Sequence, residues 1–472
     1  MVFSSLHFLF IYLPAVIAGY FLLSARPDIR WRNGFLFFAS LVFYAWGEPV
    51  YVLLMLFSIA FGWLSGIISE KYRGDRLKAR AILALSITIN IGILGFFKYA
   101  NFFISNINRV SGLDIPVLKL ALPLGVSFYT FQILSYLIDV YRGRSQARRD
   151  ILGFGLYIAM FPQLIAGPII RYNSIEPQLS GRRESVDLFG SGAGLFTVGL
   201  CKKTLLANNI GIFWDYVKGL TPDKLTVVAA WTGIIAFGLQ LYFDFSGYSD
   251  MAIGLGRMFG FRFERNFDYP YTSLSVSEFW RRWHISLGAW FREYLYIPLG
   301  GSRRGVGRTV LNLLIVWAVT GLWHGANWNF ILWGLYYFLF LAGERFLWAG
   351  ALSKAPISLK RVYVLAVVMA GWALFTFEDT GRLGEYCIAL IGFAGGGVIN
   401  SRILYYLSSW GAVLLAAVIG ATPLPARAIS AIEGKAPFAA ACLKLTLMIA
   451  GLILSVAYLV DSSYNPFLYF RF

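Results

Sequence analysis

The sequence predicts an all-α, polytopic integral membrane protein, and three observations carry that prediction. The 472 residues are 58% hydrophobic and 18% aromatic but only 14% charged, with a mean hydropathy of +0.65, where a soluble chain carries about 25% charge. Apolar stretches close to the ~20 residues that cross a bilayer recur from end to end. The cations fall in short loops between those stretches, so the net charge of +17 reads as the positive-inside pattern and not as a nucleic-acid surface. No polar stretch is long enough for a separate soluble domain. One transmembrane domain over 1–472 is expected, with N-terminal spans in 1–145, a core in 146–345, and C-terminal spans with an aromatic tail in 346–472.

The first expected span is 6–23. It follows Met1-Val2-Phe3-Ser4-Ser5, which has no basic n-region, and no small-residue cleavage site comes after it. It therefore reads as a retained span and not as a signal peptide. Further spans are expected at 34–46, 51–68, 81–97 and 118–140. The loop after the first carries Arg26, Arg30 and Arg32; that after the third carries Lys71, Arg73, Arg76, Lys78 and Arg80; that after the fifth carries Arg142, Arg144, Arg148 and Arg149. The intervening connections carry little charge, which makes alternate loops cytoplasmic and the N-terminus extracytoplasmic.

The middle of the chain reads differently. Residues 151–171 contain Gly153, Gly155, Pro162, Gly167 and Pro168 between basic ends, so this stretch need not cross. Residues 189–210 hold Lys202 and Lys203 within an apolar run, and 279–299 mix Arg281, Arg282, Arg292 and Glu293 with aromatics. Broken or re-entrant helices of this kind are tolerated where they are buried in protein or line a wet cavity. A core of short helices enclosed by ordinary spans is therefore expected. Later spans are expected at 227–243, 310–323, 330–341, 362–375, 403–419 and 443–459, with the loop 300–308 cytoplasmic through Arg303, Arg304 and Arg308 and the C-terminus extracytoplasmic. Cys201, Cys387 and Cys442 have no metal-ligand or CxxC spacing and read as small packing residues.

Three constellations carry chemistry. The first is a pair of histidines. His324 lies in Gly321-Leu322-Trp323-His324-Gly325-Ala326-Asn327, and His284 in Glu278-Phe279-Trp280-Arg281-Arg282-Trp283-His284-Ile285-Ser286-Leu287. An ionisable group at membrane depth is costly and is a functional candidate by default. Imidazole is also the side chain that exchanges protons near neutral pH. His324 reads as a general base and His284 as its companion in one cavity, while His7 reads as interfacial. The second is Gln240-Leu241-Tyr242-Phe243-Asp244-Phe245-Ser246-Gly247-Tyr248-Ser249-Asp250-Met251-Ala252. Asp244 and Asp250 read as structural polar groups in salt bridges or caps, or as groups that orient the cations of 279–292; no metal-ligand set is complete. The third is the final Phe467-Leu468-Tyr469-Phe470-Arg471-Phe472, either an aromatic anchor at the membrane interface or a means of bringing Tyr469 to a reacting centre.

At these motifs the chain resembles the membrane-bound O-acyltransferase family, in its bacterial alginate O-acetylation branch. The matching stretches are 1–13, Phe96-Phe97-Lys98-Tyr99-Ala100-Asn101-Phe102, 122–142, Phe161-Pro162-Gln163-Leu164-Ile165-Ala166-Gly167-Pro168, 240–256, 278–300 and 321–334. The last third matches poorly: where relatives often have Phe-Arg after a late Gly-Trp, this chain has Gly371-Trp372 and then Phe375-Thr376-Phe377-Glu378. The resemblance implies a ring of helices around a thinned core with a tunnel through it. It makes His324 the catalytic histidine and His284 the second signature position, often Asn in eukaryotic members and His in this branch. It also implies that Phe-x-Tyr-x-x-Phe at the C-terminus carries an acyl group outward on Tyr469.

On that basis the expected function is membrane O-acetyltransfer. An acetyl group leaves a cytosolic thioester donor, acetyl-CoA or another acyl thioester, for O-acetylation of an extracytoplasmic polysaccharide, with no bound cofactor and no metal. His324 is the expected general base, His284 orients donor or base, and Trp323 or Asn327 stabilises the oxyanion. Lys202, Lys203, Arg281 and Arg282 attract the donor's phosphates. The expected partners are membrane lipid, an extracytoplasmic acetyltransferase and the polysaccharide, with no nucleic acid, and the expected location is the bacterial cytoplasmic membrane. Two rivals are transfer of another group, such as D-alanine towards teichoic acid, and a proton-coupled transporter; the second is disfavoured because no internal repeat is evident.

Overall fold

The computed structural model describes residues 1–461 apart from Pro27, Ala166 and Ala394. Among these residues every regular element is helical. Eight helices are long and apolar enough to cross a membrane: Phe8–Ala25, Tyr51–Lys71, Arg76–Ser111, Val227–Met258, Gly305–His324, Ile357–Thr376, Ser401–Gly420 and Pro437–Asp461. Their apolar surface is mostly not used against the rest of the protein. Only 6% of the most apolar window of Pro437–Asp461 is buried, and 11% of that of Ser401–Gly420. Such faces need a lipid solvent. Val227–Met258 is the exception, 72% buried, and it is the helix that carries Asp244 and Asp250.

The chain divides into two compact units. The first comprises Met1–Phe196, Met251–Glu264 and Ala289–Leu295. Here Ile29–Gly47 packs against Ile151–Ala159, and Gly155 makes the approach possible, since a Cβ there would sit 2.7 Å from the Phe37 ring. The stretch 151–171 is broken as its glycines and prolines suggest, into Ile151–Ala159 and Phe161–Leu164. Two expected spans are redrawn. The one placed at 118–140 begins only at Val126 and ends at Tyr141, 16 residues, because Pro123 cannot donate to a helix and Gly125 takes a left-handed φ of +73°. The one placed at 81–97 is the interior of a 36-residue helix, Arg76–Ser111, capped by Asp75 and closed by Gly112 at φ +70°. At 1.5 Å per residue it is roughly 54 Å long, well beyond the ~30 Å hydrocarbon layer.

The second unit comprises Thr197–Asp250, Arg265–Gly288 and Tyr296–Phe472. Its core is unusually aromatic, with Trp214, Phe237, Trp283, Trp333 and Trp372 all buried in one cluster. Gly305–His324 and Trp328–Phe346 pack along one another in it. A Cβ on Gly321 would run into the Phe330 carbonyl, and one on Gly334 into the Trp317 carbonyl. The two glycines thus let the backbones approach as small residues do in membrane helix pairs. The segment 279–299 is broken into Val276–Arg282, Ile285–Phe291 and a π-helical turn Arg292–Tyr296.

Candidate active site

His324 is the last residue of Gly305–His324, and the chain leaves it through an extended Gly325. A Cβ on Gly325 would enter the Phe330 ring, so the turn can be this tight only with glycine. Asn327 begins the next helix, its side-chain oxygen accepting the Trp328 N–H at 2.6 Å. The imidazole is 8% exposed and stands nearly perpendicular to three rings: Trp323 and Trp333 at 5.0 Å and Phe375 at 5.4 Å between centroids. Behind Trp333 lie Trp280 at 5.4 Å and Tyr337 at 5.1 Å. Asn329 fixes the Phe375 wall by donating to the Phe375 carbonyl at 3.0 Å.

His284 lies in the break between Val276–Arg282 and Ile285–Phe291. It is one of two described non-glycine residues with positive φ, at +48°, a region few such residues enter. The ring is 2% exposed, meets Phe245 edge to face at 4.7 Å, and faces Trp323 at 6.1 Å. Burial among these rings holds its pKa below the ordinary imidazole value. Trp323 therefore touches both histidines, and one indole joins the two motifs that lie 40 residues apart in sequence. Asn266 faces His284, with its side-chain oxygen 3.2 Å from Nδ1.

Both aspartates stand in salt bridges, and their partners are the two lysines expected to attract the donor. Lys203 pairs with Asp244 at 2.6 Å with both side chains 3% exposed, and Lys202 pairs with Asp250 at 2.6 Å. Asp244 and Asp250 thus meet the lysines of the π-helical turn Lys202–Ala207. Gly247, midway between the aspartates, permits this: a Cβ there would lie 2.7 Å from the Gly199 carbonyl. Arg282 is held by Glu278 at 2.7 Å on its own helix. Arg281, by contrast, lines a pocket of about 560 Å³ with Arg345, Lys360, Ser277 and Ser353. The neighbouring Glu344 accepts the N–H groups of Val276 and Ser277 at 2.6 and 2.8 Å and the Ser277 hydroxyl at 2.7 Å. This carboxylate caps the helix that leads to His284. Tyr469 lies outside the described residues.

Sequence reading overlooks Asn266, Glu344, Trp333 and Phe375. Each meets its partner only through the fold. Phe375 alone leaves a trace, in the segment where this chain departs from its relatives' pattern.

The geometry agrees with what this chain resembles. The model of the membrane-bound O-acyltransferase family matches residues 147–377, a stretch that includes both histidines and the aromatic walls. A protein of Azotobacter vinelandii described as "Probable alginate O-acetylase AlgI" is 42% identical over 397 residues, 83% of this chain and 78% of that protein. The peptidoglycan O-acetyltransferase of Helicobacter pylori is 33% identical, covering 84% of this chain and 80% of its own length. The teichoic acid D-alanyltransferase of Bacillus subtilis is 24% identical over 47% of this chain and 59% of its own. This chain belongs to the membrane-bound O-acyltransferase family and is a multi-pass membrane O-acyltransferase.

Proposed function

We propose that this enzyme takes an acetyl group from a cytosolic thioester, acetyl-CoA in the first instance, and delivers it for O-acetylation of an extracytoplasmic polysaccharide. The observation that carries the reading is His324, an imidazole buried among Trp323, Trp333 and Phe375. In its neutral form such a ring can accept a proton. Relatives that align over about four-fifths of the chain carry O-acetylation in their descriptions, which sets acetyl ahead of D-alanyl transfer, where the likeness spans half as much.

The steps balance without outside help. An acceptor hydroxyl gives its proton to His324 as its oxygen attacks the thioester carbonyl. The tetrahedral intermediate collapses by breaking the C–S bond, and the departing thiolate takes the proton back. Asn327 spends its side-chain oxygen on a helix cap, so only its amide N–H groups remain for an oxyanion. Trp323 bridges the histidines and is the better candidate for positioning. Arg281, Arg345 and Lys360 around the 560 Å³ pocket supply phosphate-binding charge, and the proposed side of this pocket is the cytoplasmic one. They fit a donor's phosphates better than Lys202 and Lys203, which are held in ion pairs.

Tyr469 is the proposed first acceptor and outward carrier. A phenol, with pKa of about 10, is a better leaving group than a sugar hydroxyl, so a tyrosyl ester keeps the potential to acetylate a sugar. An extracytoplasmic acetyltransferase is the proposed collector, since spans and short loops offer a long glycan little to bind. The proposed setting is the bacterial cytoplasmic membrane, with both termini outside. The test is His324→Ala in purified protein supplied with radiolabelled acetyl-CoA. Normal insertion with loss of acetyl transfer is expected; substantial remaining turnover removes His324 from the mechanism.

A further inference from the structure

We infer that Asn266 is a positioning residue that sets the tautomer of His284, so that Nδ1 carries the proton and Nε2 is the acceptor.

One atom facing Asn266 can only donate. The side-chain oxygen of Asn266 receives the backbone N–H of Ser286 at 3.1 Å, and a backbone N–H cannot accept. That contact fixes the orientation of the amide: an oxygen, not an NH2 group, faces the turn. The Ser286 hydroxyl lies 2.9 Å from the same oxygen. His284 Nδ1 lies 3.2 Å from it. An amide oxygen has no proton to give, so Nδ1 must be the donor. In a neutral imidazole the other nitrogen, Nε2, is then the acceptor.

The backbone reinforces the side chain. The Asn266 carbonyl accepts the Ile285 N–H at 2.9 Å, and two residues on the Asp268 N–H donates to the Arg282 carbonyl at 3.0 Å. The segment thus grips the turn on both sides of His284. The grip accounts for the left-handed φ of +48° at His284, a conformation that persists only where its surroundings over-determine it. Asn266 and His284 are 1% and 2% exposed, so water does not compete for these bonds. The inference deepens the acyl-transfer reading and rests on it only for the catalytic consequence; the tautomer can be read by itself.

The experiment uses full-length protein labelled with 15N-histidine. The chain has only three histidines, so His7→Gln and His324→Gln assign the signals. Imidazole 15N shifts then report which nitrogen of His284 is protonated. Nδ1–H is expected in the wild type and in Asn266→Asp, which keeps an acceptor oxygen. Asn266→Leu, which has none, is expected to lose this preference and to lower kcat for acetyl transfer by roughly 10²-fold, the low end of the acid–base range, with the donor KM within about threefold of wild type. Asp at this position is expected to recover most of that loss. An Nε2–H signal in the wild type overturns the inference whatever the variants do. So does an unchanged His284 spectrum in Asn266→Leu. A changed tautomer with unaltered turnover overturns the positioning role while leaving His324's part intact. Absence of acetyl transfer in the wild type strikes the functional reading alone, because the spectra still decide the tautomer.

Discussion

Breaking the Lys203–Asp244 pair separates a structural ion pair from a donor-binding lysine. The two charges are 2.6 Å apart and each side chain is 3% exposed. Removing one partner leaves the other buried and uncompensated, which costs about 3–5 kcal/mol. Replacing both with apolar residues of similar volume removes the Coulomb attraction and both desolvation penalties together, and such exchanges come out near neutral. Lys203→Met and Asp244→Leu should therefore each lower the thermal midpoint in detergent, on the order of 5–10 °C if about 2 °C accompanies each kcal/mol. The double variant should recover most of the loss. Lys202→Met is the internal control: its pair with Asp250 is 24% and 22% exposed, and a less enclosed pair should cost less to break. The assay is thermal unfolding followed by size-exclusion fluorescence, with the donor KM measured on the same samples. Additive losses in the double variant would refute the ion-pair reasoning. So would a raised donor KM in Lys203→Met that Asp244→Leu does not restore, because that pattern returns Lys203 to the donor site.

Other substitutions probe the remaining supports. Gly334→Ala should destabilise by about 1–3 kcal/mol through overpacking, because the new Cβ meets the Trp317 carbonyl; an unchanged thermal midpoint contradicts the close helix contact. Glu344→Ala frees two helix-terminal N–H groups and a hydroxyl and should cost at least ~2 kcal/mol, with Glu344→Gln losing less; equal midpoints in the two variants count against the cap. Arg281→Ala combined with Arg345→Ala should raise the KM for acetyl-CoA about tenfold or more at low salt and less at high salt, and a donor KM independent of both arginines removes the pocket from the reaction. Tyr469→Phe should insert normally yet fail to deliver acetyl outside, and an acetyl mass on the wild-type C-terminal peptide should be absent from the variant; full extracellular acetylation by Tyr469→Phe ends the relay.

The spans were legible because lipid acts on composition alone: a helix facing hydrocarbon must be apolar over its length, and all eight long apolar helices fall where apolar runs stand in the sequence. Ends were less legible. Residues 118–125 are apolar enough to join a span, and only Pro123 and Gly125 hold them out of it. In the site, both histidines stood out because polar groups are rare in such a background. Their partners did not. Asn266 lies 18 residues before His284 with no shared period, and the pairing of Lys202 and Lys203 with Asp250 and Asp244 joins positions more than 40 residues apart. A charge announces that it needs a partner but not which one. The aromatic walls posed the opposite problem: with 15 Trp, 27 Tyr and 41 Phe in the chain, Trp333 and Phe375 had too many equivalents to be singled out.

The left-handed turn at His284 also limits which amino acids can occupy that position. A φ of +48° is closed to β-branched side chains, which crowd the following carbonyl, and is open at low cost to glycine, asparagine, aspartate and, less readily, histidine. Of these, glycine has no side chain with which to meet a substrate, and aspartate would bring a fixed negative charge beside the Asn266 oxygen. Asparagine and histidine remain. They are the pair implied for this position by resemblance to the family, and backbone and side-chain chemistry together narrow the choice to them. Exchange between the two is then a change of chemistry at constant geometry, a path along which a lineage could trade a proton carrier for a neutral hydrogen-bonding amide without remaking the loop that holds it.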